Sequence, residues 1–110
     1  PVLVGALHND SYDIRNNEAQ VRQLLAFIGD RPCVLAGDFN SRPDQPPVQL
    51  VKASGRFTGA WDGPPTFFEG DRRERIDFVL APAGWEHVGT RVVESDASDH
   101  KPVAARFRVR

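Results

Sequence analysis

The sequence predicts an α/β fold with a mixed sheet and helices on one face of that sheet. An apolar strand pattern, a helical pattern and a second apolar strand pattern follow one another over residues 2–37. This order is typical of a right-handed crossover between parallel strands of a layered sheet. Three more strand patterns follow, and no repeat or linker divides the 110 residues, so we expect one domain with a small core.

The first predicted strand runs from Val2 to His8, is rich in Val and Leu, and ends in the polar run HNDS. A helix is predicted next, with Asn16 or Asn17 as its N-cap and Gly29 as its stop. The apolar positions of this segment fall on one helical face, as expected for a helix that packs on a sheet. These positions are Ala19, Val21, Leu24, Leu25 and Ile28.

A second, fully apolar strand is predicted from Cys33 to Gly37, after Pro32 has broken the helical pattern. The loop SRPDQPP then leads to a short helix over Pro46 to Ser54, with proline at its start and Gly55 at its end. Cys33 is the single cysteine and is expected to be a small core residue. A disulfide framework and a zinc cluster are therefore both excluded.

Residues 55–73 are rich in Gly and Pro, and they are predicted to form a long packed loop that could wall a pocket. Strands are predicted over Arg75 to Ala81, Val88 to Val93 and Val103 to Val109. The last two strands are expected to be neighbours joined by the loop ESDASDHKP. Aromatic residues are interspersed in the long loop at Phe57, Trp61, Phe67 and Phe68.

The charge of the chain is nearly balanced, with 14 Lys and Arg against 15 Asp and Glu and a formal net charge of −1. No broad basic surface is expected, which argues against non-specific nucleic-acid binding. No apolar run is long enough for a membrane span or a secretory signal. The sequence opens inside an apolar strand pattern, PVLVGAL, and contains no methionine, from which we expect that the natural N-terminus is missing.

The first polar anomaly is GDFN, which places Asp38 and Asn40 two residues apart at the end of an apolar strand. Side chains alternate along a strand, so both can lie on one side while Phe39 faces the other. Gly37 permits a close approach by a ligand, and open sheets tend to bind ligands at the carboxyl ends of their strands. An ordinary Asx-turn into SRPD explains the same residues, and both interpretations stay open.

The second anomaly is Asp77 within RIDFVLA, where Ile76, Phe78 and Leu80 form one apolar face. A carboxylate inside such a strand is costly unless it is hydrogen-bonded or paired. Taken alone, the commoner outcome is a salt bridge to Arg73 or Arg75.

Histidines provide the remaining candidates. SDH places Asp99 next to His100 directly before the last strand, which combines an oxygen ligand for a hard cation with an imidazole for proton transfer. His8 ends the first strand, where a hydrogen-bonded loop histidine is the commoner outcome. His87 belongs to no such pattern and is expected at the surface.

The three motifs GDFN, RIDFV and SDH occur together and in that order, downstream of a strand that ends in histidine. In this respect the sequence from Val2 to Val109 resembles the endonuclease/exonuclease/phosphatase superfamily, which includes pancreatic-type DNases, apurinic endonucleases, neutral sphingomyelinases and inositol-polyphosphate 5-phosphatases. The resemblance implies half of a four-layer α/β sandwich, in which two sheets pack face to face with helices outside. Residues 1–110 would be its C-terminal half, with the N-terminal half absent.

The resemblance also implies a chemistry, namely hydrolysis of a phosphoester by an in-line water with Mg²⁺ or Mn²⁺ as cofactor. Asp38 would position or deprotonate the water, and Asn40 would hold that water or a phosphate oxygen. Asp99, together with Asp38, would bind the metal. Magnesium suits this assignment because it prefers oxygen ligands and keeps several waters.

The two histidines complete the implied set. His100 would contact the phosphate and share in proton transfer, with Asp77 fixing its tautomer. His8 would stabilise the phosphate or protonate the leaving oxygen. The substrate class stays open between a nucleic acid, a lipid headgroup and a small phosphate.

One departure limits the resemblance. The glutamate that is the family's principal metal ligand lies in the N-terminal half, and Glu18 and Gln20 are in the predicted helix instead. We therefore expect weak or absent activity of this chain without a missing N-terminal half or a partner chain. The alternative is a non-catalytic interaction domain that retains the fold, whereas an EF-hand at DFNSRPD lacks the glycine and the glutamate it needs.

Overall fold

The computed structural model describes all 110 residues and has two helices and eight strands. The helices are α1 (Ile14–Ile28) and α2 (Pro46–Ala53). The strands are β1 (Leu3–His8), β2 (Cys33–Asp38), β3 (Phe57–Gly59), β4 (Phe67–Glu69), β5 (Arg72–Glu74), β6 (Asp77–Pro82), β7 (Glu86–Val92) and β8 (Val103–Arg108). Neither helix is long and apolar enough to cross a membrane.

The main sheet has four strands in the order β1, β2, β6, β3. β1 and β2 are parallel and α1 connects them, which confirms the predicted crossover. β6 is antiparallel to both of its neighbours, so the sheet is mixed, as predicted. The hairpins β4–β5 and β7–β8 are separate two-stranded sheets, and the second confirms that the last two predicted strands are neighbours.

Helix α1 begins earlier than predicted, and the N-cap is Asp13 rather than Asn16 or Asn17. Asp13 has an extended backbone, and its Oδ1 accepts a hydrogen bond from the Arg15 N–H at 2.9 Å. An aspartate caps a helix as well as an asparagine does, so residue type alone does not fix where the helix begins. Gly29 ends the helix with φ 59°, as predicted.

Both helices lie on the same face of the main sheet, which confirms the predicted layering. Apolar side chains of α1 and α2 pack together with the inward side chains of β2 and β6. Phe39 and Phe78 meet edge to face, with ring centroids 5.3 Å apart. Cys33 belongs to this core, as expected. The other members are Val21, Ile28, Leu35, Val48, Val51, Phe57 and Leu80.

The opposite face of the sheet carries smaller side chains and no helix. We call it the open face and define it by Val4, Ala6, Val34, Ala36 and Val79. Val4 is 81% exposed, and the others are exposed or half-buried. The alternation of side chains along each strand fixes this division, because residues next to one another in the chain point to opposite faces.

The prediction of one long loop over residues 55–73 is wrong. Three short strands, β3, β4 and β5, begin within this segment. Strands of three residues are too short to show a period of two, and here they lie among Gly and Pro. Arg75 lies before β6 rather than within it, and it is only 7% exposed. Its guanidinium donates to the Pro64 carbonyl at 2.8 Å and to the Ala60 carbonyl at 3.2 Å, and so anchors this segment.

Candidate active site

Three of the predicted site residues are brought together by strand register alone. In the main sheet His8 of β1 lies opposite Asp38 of β2, and Asp38 lies opposite Asp77 of β6. All three side chains belong to the face that carries Val4 and Val79, because they keep the same alternation. The site therefore lies at one end of the open face.

His100 completes this group from the loop before β8. Its backbone forms an isolated bridge with Phe67, and the imidazole packs on the Phe67 ring with centroids 4.9 Å apart. His100 Nδ1 is 2.9 Å and 3.1 Å from the two carboxylate oxygens of Asp77. Because an ionised carboxylate only accepts hydrogen bonds, Nδ1 is the donor and Nε2 is left facing the site.

Thr66 is a site residue that the sequence did not reveal. Its hydroxyl donates to Asp77 Oδ2 at 2.7 Å and accepts from the backbone N–H groups of Ile76 and Asp77, each at 3.1 Å. Thr66 is fully buried. The partners of the Asp77 carboxylate are therefore His100 and Thr66, and the alternative of a salt bridge to Arg73 or Arg75 is wrong.

The Asp38 carboxylate has two different tasks. Its Oδ1 accepts a hydrogen bond from the Asn40 N–H at 2.8 Å, so the Asx-turn that competed with the site interpretation does form. Its Oδ2 lies 3.6 Å from Nε2 of His8 and 3.6 Å from Nε2 of His100. One oxygen thus shapes the loop while the other points between two imidazoles.

Asparagines fix the loops that follow β1 and β2. Asn40 has φ 43°, a left-handed conformation that asparagine tolerates, and its side-chain amide donates to the Asn9 carbonyl at 2.7 Å. Asn17 is fully buried, donates to the Phe39 carbonyl at 2.6 Å, and accepts from the Asn9 side chain at 3.0 Å. Sequence reasoning considered Asn17 only as a helix cap, and its partners are 8 and 22 residues away in the chain.

Asp99 lies beside this group rather than in it. The side chains whose ligand atoms all lie within 4.8 Å of one another are Asp38, Asp77 and His100. Asp99 is exposed, and its carbonyl accepts the Phe68 N–H at 2.8 Å, which ties the SDH loop to β4.

His87 lies in β7, outside the site. It is half-buried rather than at the surface as expected, because its Nε2 lies 2.7 Å from Thr90 Oγ1 and its ring packs on Phe107.

The charges of the site shift two pKa values. Partial burial lowers the pKa of His100, but the hydrogen bond to Asp77 and the charges of Asp77, Asp38 and Asp99 outweigh it and raise the pKa above its usual value. Burial raises the pKa of Asp38, and the charge of Asp77 adds to that effect. The hydrogen bond from Asn40 and the two nearby histidines lower it by less, so the net shift is upward.

The donor set fits a hard divalent cation in part. Carboxylate oxygens are the ligands that Mg²⁺ and Mn²⁺ prefer, and Asp38 Oδ2 has no hydrogen bond within the chain. Both oxygens of Asp77 already accept from His100, which makes this carboxylate the orienting partner of the imidazole. The exposed carboxylate of Asp99 is the other available oxygen donor.

The chain belongs to the Endonuclease/Exonuclease/phosphatase family, whose model matches residues 6–100. This confirms the superfamily predicted from GDFN, RIDFV and SDH. A search of the curated proteins gives no match.

Solved structures share the fold. A functionally unknown conserved protein from Enterococcus faecalis V583 aligns with a TM-score of 0.78 and 24% identity, over 93% of this chain and 48% of its own. An endonuclease/exonuclease/phosphatase from Beutenbergia cavernae aligns with a TM-score of 0.71 and 25% identity, over 98% of this chain and 36% of its own. The mannosyl-6-phosphatase Bt3783 of Bacteroides thetaiotaomicron aligns with a TM-score of 0.66 and 17% identity, over 94% of this chain and 50% of its own. The chain thus spans half or less of the length of these structures.

Proposed function

We propose that this chain contributes to the active site of a divalent-metal-dependent phosphoester hydrolase that works by in-line attack of water. The observation that carries the proposal is the alignment of Asp77, His100 and Asp38, in which a carboxylate orients an imidazole whose free nitrogen faces a second carboxylate. Such a set can hold and move a proton beside a phosphate. Members of the family are phosphoester hydrolases, which supports the reaction class.

Each residue has a proposed role that follows from its contacts. Asp38 Oδ2 orients the attacking water and accepts a proton from it, because this oxygen lies between the two imidazoles. His100 binds a non-bridging phosphate oxygen through Nε2, and Asp77 keeps the proton on Nδ1. His8, with a side chain that is 78% exposed, can reach the leaving oxygen. Asn40 positions the loop and a phosphate oxygen.

Asp99 and Asp38 are the proposed ligands of the metal, Mg²⁺ or Mn²⁺. When bound, the cation would neutralise the negative charge that develops on the phosphate oxygens during displacement. The chain's own contribution is to hold carboxylate oxygens at the end of the open face.

A second half of the domain is part of this proposal. We propose that residues 1–110 form its C-terminal half and that a second sheet packs on the open face, where Val4 is 81% exposed. The alignments over half or less of the related structures agree with this. The isolated chain is then expected to hydrolyse phosphoesters weakly or not at all.

The test uses the natural full-length protein with p-nitrophenyl phosphate and bis-(p-nitrophenyl) phosphate. We expect hydrolysis that requires Mg²⁺ or Mn²⁺ and that stops on addition of EDTA. Asp99→Ala should abolish saturable Mg²⁺ binding measured by calorimetry. Asp96→Ala, a change of another exposed aspartate in the same loop, is the matched control and should leave binding intact.

The second candidate function is a non-catalytic interaction domain, and the exposed apolar side chains of the open face favour it. Absence of metal-dependent hydrolysis of either ester by the full-length protein would contradict the hydrolase proposal and support this alternative.

A further inference from the structure

Thr66 lies directly before β4 and joins the two elements that carry Asp77 and His100. Its side-chain hydroxyl donates to Asp77 Oδ2 at 2.7 Å. Its backbone carbonyl accepts a hydrogen bond at 2.8 Å from the N–H of Lys101, the residue after His100. One residue therefore links the strand that holds the carboxylate to the loop that holds the imidazole.

The hydrogen bonds of the Thr66 hydroxyl fix the direction of its proton. A hydroxyl has one proton to donate and two lone pairs that accept. The backbone N–H groups of Ile76 and Asp77 use both lone pairs, each at 3.1 Å. The Glu74 carbonyl is 3.5 Å from the hydroxyl and already accepts the Thr66 N–H at 2.9 Å. The proton of the hydroxyl therefore points to the Asp77 carboxylate.

Burial makes this hydroxyl a rigid donor. Thr66 is 0% exposed, so solvent does not reach its hydroxyl, and the Asp77 side chain is only 17% exposed. Rotation of the hydroxyl away from its partners would leave two buried backbone N–H groups without an acceptor, which is costly. The oxygen of Thr66 thus has one position relative to Asp77.

The Asp77 carboxylate needs such a second donor to keep one orientation. The last side-chain torsion of an aspartate is broad, so the backbone does not fix the plane of the carboxylate. His100 Nδ1 lies 2.9 Å from one oxygen and 3.1 Å from the other, and a contact shared by both oxygens restrains rotation less than a bond to one. The hydrogen bond from Thr66 to Oδ2 supplies the missing fixed point.

Phe67, the next residue, restrains the imidazole itself. Its backbone forms an isolated bridge with His100, and its ring packs on the imidazole with centroids 4.9 Å apart. The last torsion of a histidine is also broad, so this contact limits the plane of the ring. Two successive residues therefore hold the carboxylate and the imidazole that it orients.

We propose that Thr66 is a positioning residue of the candidate active site, whose hydroxyl holds the Asp77 carboxylate in the orientation that directs His100 Nε2 toward Asp38 and the phosphate. The inference rests on the proposed hydrolase function and adds a residue to that site. Nε2 lies 3.6 Å from Asp38 Oδ2, so a tilt of the carboxylate would move it out of place. Misplacement by about 1 Å can cost on the order of 10²-fold in rate.

The test measures kcat and KM of the folded full-length protein with Mg²⁺, on whichever of p-nitrophenyl phosphate and bis-(p-nitrophenyl) phosphate it cleaves faster. Thr66→Val keeps the shape of the side chain without the hydroxyl, and Thr66→Ala leaves room for a water beside the two N–H groups, which favours folding. Both should lower kcat about tenfold, the effect of one lost hydrogen bond to a charged group, and change KM less than about twofold. Thr66→Ser keeps the hydroxyl and should retain kcat within about threefold.

Thr90→Val is the matched control, because it removes a hydroxyl 2.7 Å from His87 Nε2 in β7, outside the site, and it should leave kcat unchanged. In an Asp77→Ala background Thr66→Val should lower kcat by less than about a further twofold, because Thr66 acts through Asp77. Native kcat in both Thr66→Val and Thr66→Ala would overturn the proposal. An equal loss in Thr66→Ser, or a full tenfold further loss in the Asp77→Ala background, would overturn it as well.

A readout without activity separates this inference from the hydrolase function. ¹⁵N NMR of the metal-free protein, with EDTA and at a pH where the imidazole is neutral, gives the ratio of His100 tautomers with the proton on Nδ1 and on Nε2. We expect the Nδ1 tautomer to dominate in the native protein and in Thr66→Ser, and the ratio to fall about fivefold in Thr66→Val and Thr66→Ala. An unchanged ratio would overturn the positioning role. Failure to cleave either ester would overturn the hydrolase function, and a changed ratio would still show that Thr66 orients the pair.

Discussion

The two faces of the four-stranded sheet use the same strands for different purposes. On the helix-covered face Leu35 and Leu80 are fully buried and Phe78 is 2% exposed. On the open face Val4 is 81% exposed, and the far end of that face carries the candidate active site. The site carboxylates are only partly buried and accept hydrogen bonds from Asn40, Thr66 and His100, which an apolar core would not provide. One face therefore supplies the stability of the fold, while the other is free to carry chemistry.

The largest expected difference in stability is between Phe78 and Val79, which are neighbours in β6 on opposite faces. Phe78→Ala should lower the free energy of unfolding by about 4 kcal/mol, because it leaves a cavity beside Phe39 in the packed core. Val79→Ala should cost about 1 kcal/mol or less, because its surroundings are only half-buried. Urea unfolding of the chain measures both values, and equal losses would contradict the division between the faces.

Variants of the candidate site should show the reverse pattern, with a large loss of activity and a smaller loss of stability than in the core. His100→Ala should lower kcat of the full-length protein by about 10²- to 10³-fold, the usual size of a lost proton-transfer group. The loss of stability should be about 1 to 2 kcal/mol, because Asp77 loses one partner but keeps its hydrogen bond from Thr66. His87→Ala is the matched control, because it also loses a side-chain hydrogen bond but lies outside the site. It should leave kcat unchanged, and an equal fall of kcat in both variants would contradict the role given to His100.

Asn17 connects the helix-covered face with the candidate site, because it lies in α1 and its side chain is hydrogen-bonded to the loops that follow β1 and β2. Asn17→Ala should lower the free energy of unfolding by about 2 kcal/mol, because it leaves the Phe39 carbonyl buried without a donor. Its neighbour Asn16 makes an exposed hydrogen bond to Asp10, and Asn16→Ala should cost less than about 0.5 kcal/mol. Urea unfolding of both variants tests this, and a larger loss for Asn16→Ala would contradict the bridging role.

The contrast between faces also explains how much the sequence could predict. Asp38, Asp77 and His100 could be singled out because polar side chains at or inside apolar strands need a partner, and the structure brings all three together. Thr66 could not, since a lone threonine in a loop has no pattern and its partner is 11 residues away. Asn17 was considered as a cap because asparagine is common there, whereas its burial depends on the position of β2.

The fold was predictable to a similar degree. The crossover over residues 2–37 could be predicted because two apolar runs of strand length flank a segment with a helical repeat of 3.6. The hairpin β4–β5 has three residues in each strand, and it is held by Arg72 over Phe67 and by pairing across the turn. Such contacts arise only once the chain is folded.

The smallest expected effect concerns the protonation of His100. In the metal-free chain with EDTA present, its pKa should lie above the usual value, because the hydrogen bond to Asp77 and the nearby charges outweigh partial burial. Asp77→Asn removes the largest of these favourable contributions and should lower the pKa, as measured by the pH dependence of the imidazole signals in NMR.

The effect on stability follows from the sign of the shift. Because the folded state binds the proton more tightly than the unfolded state, the gain is complete below the unfolded pKa of about 6.5 and is lost as pH rises through the folded pKa. The stability difference between the native chain and Asp77→Asn should therefore be larger at pH 5.5 than at pH 9. The charge of Asp77 also raises the pKa of Asp38, so the imidazole signals of His100, followed by NMR at each pH, are needed to separate the two effects. A difference that grows towards alkaline pH would show that Asp77 does not stabilise the protonated imidazole.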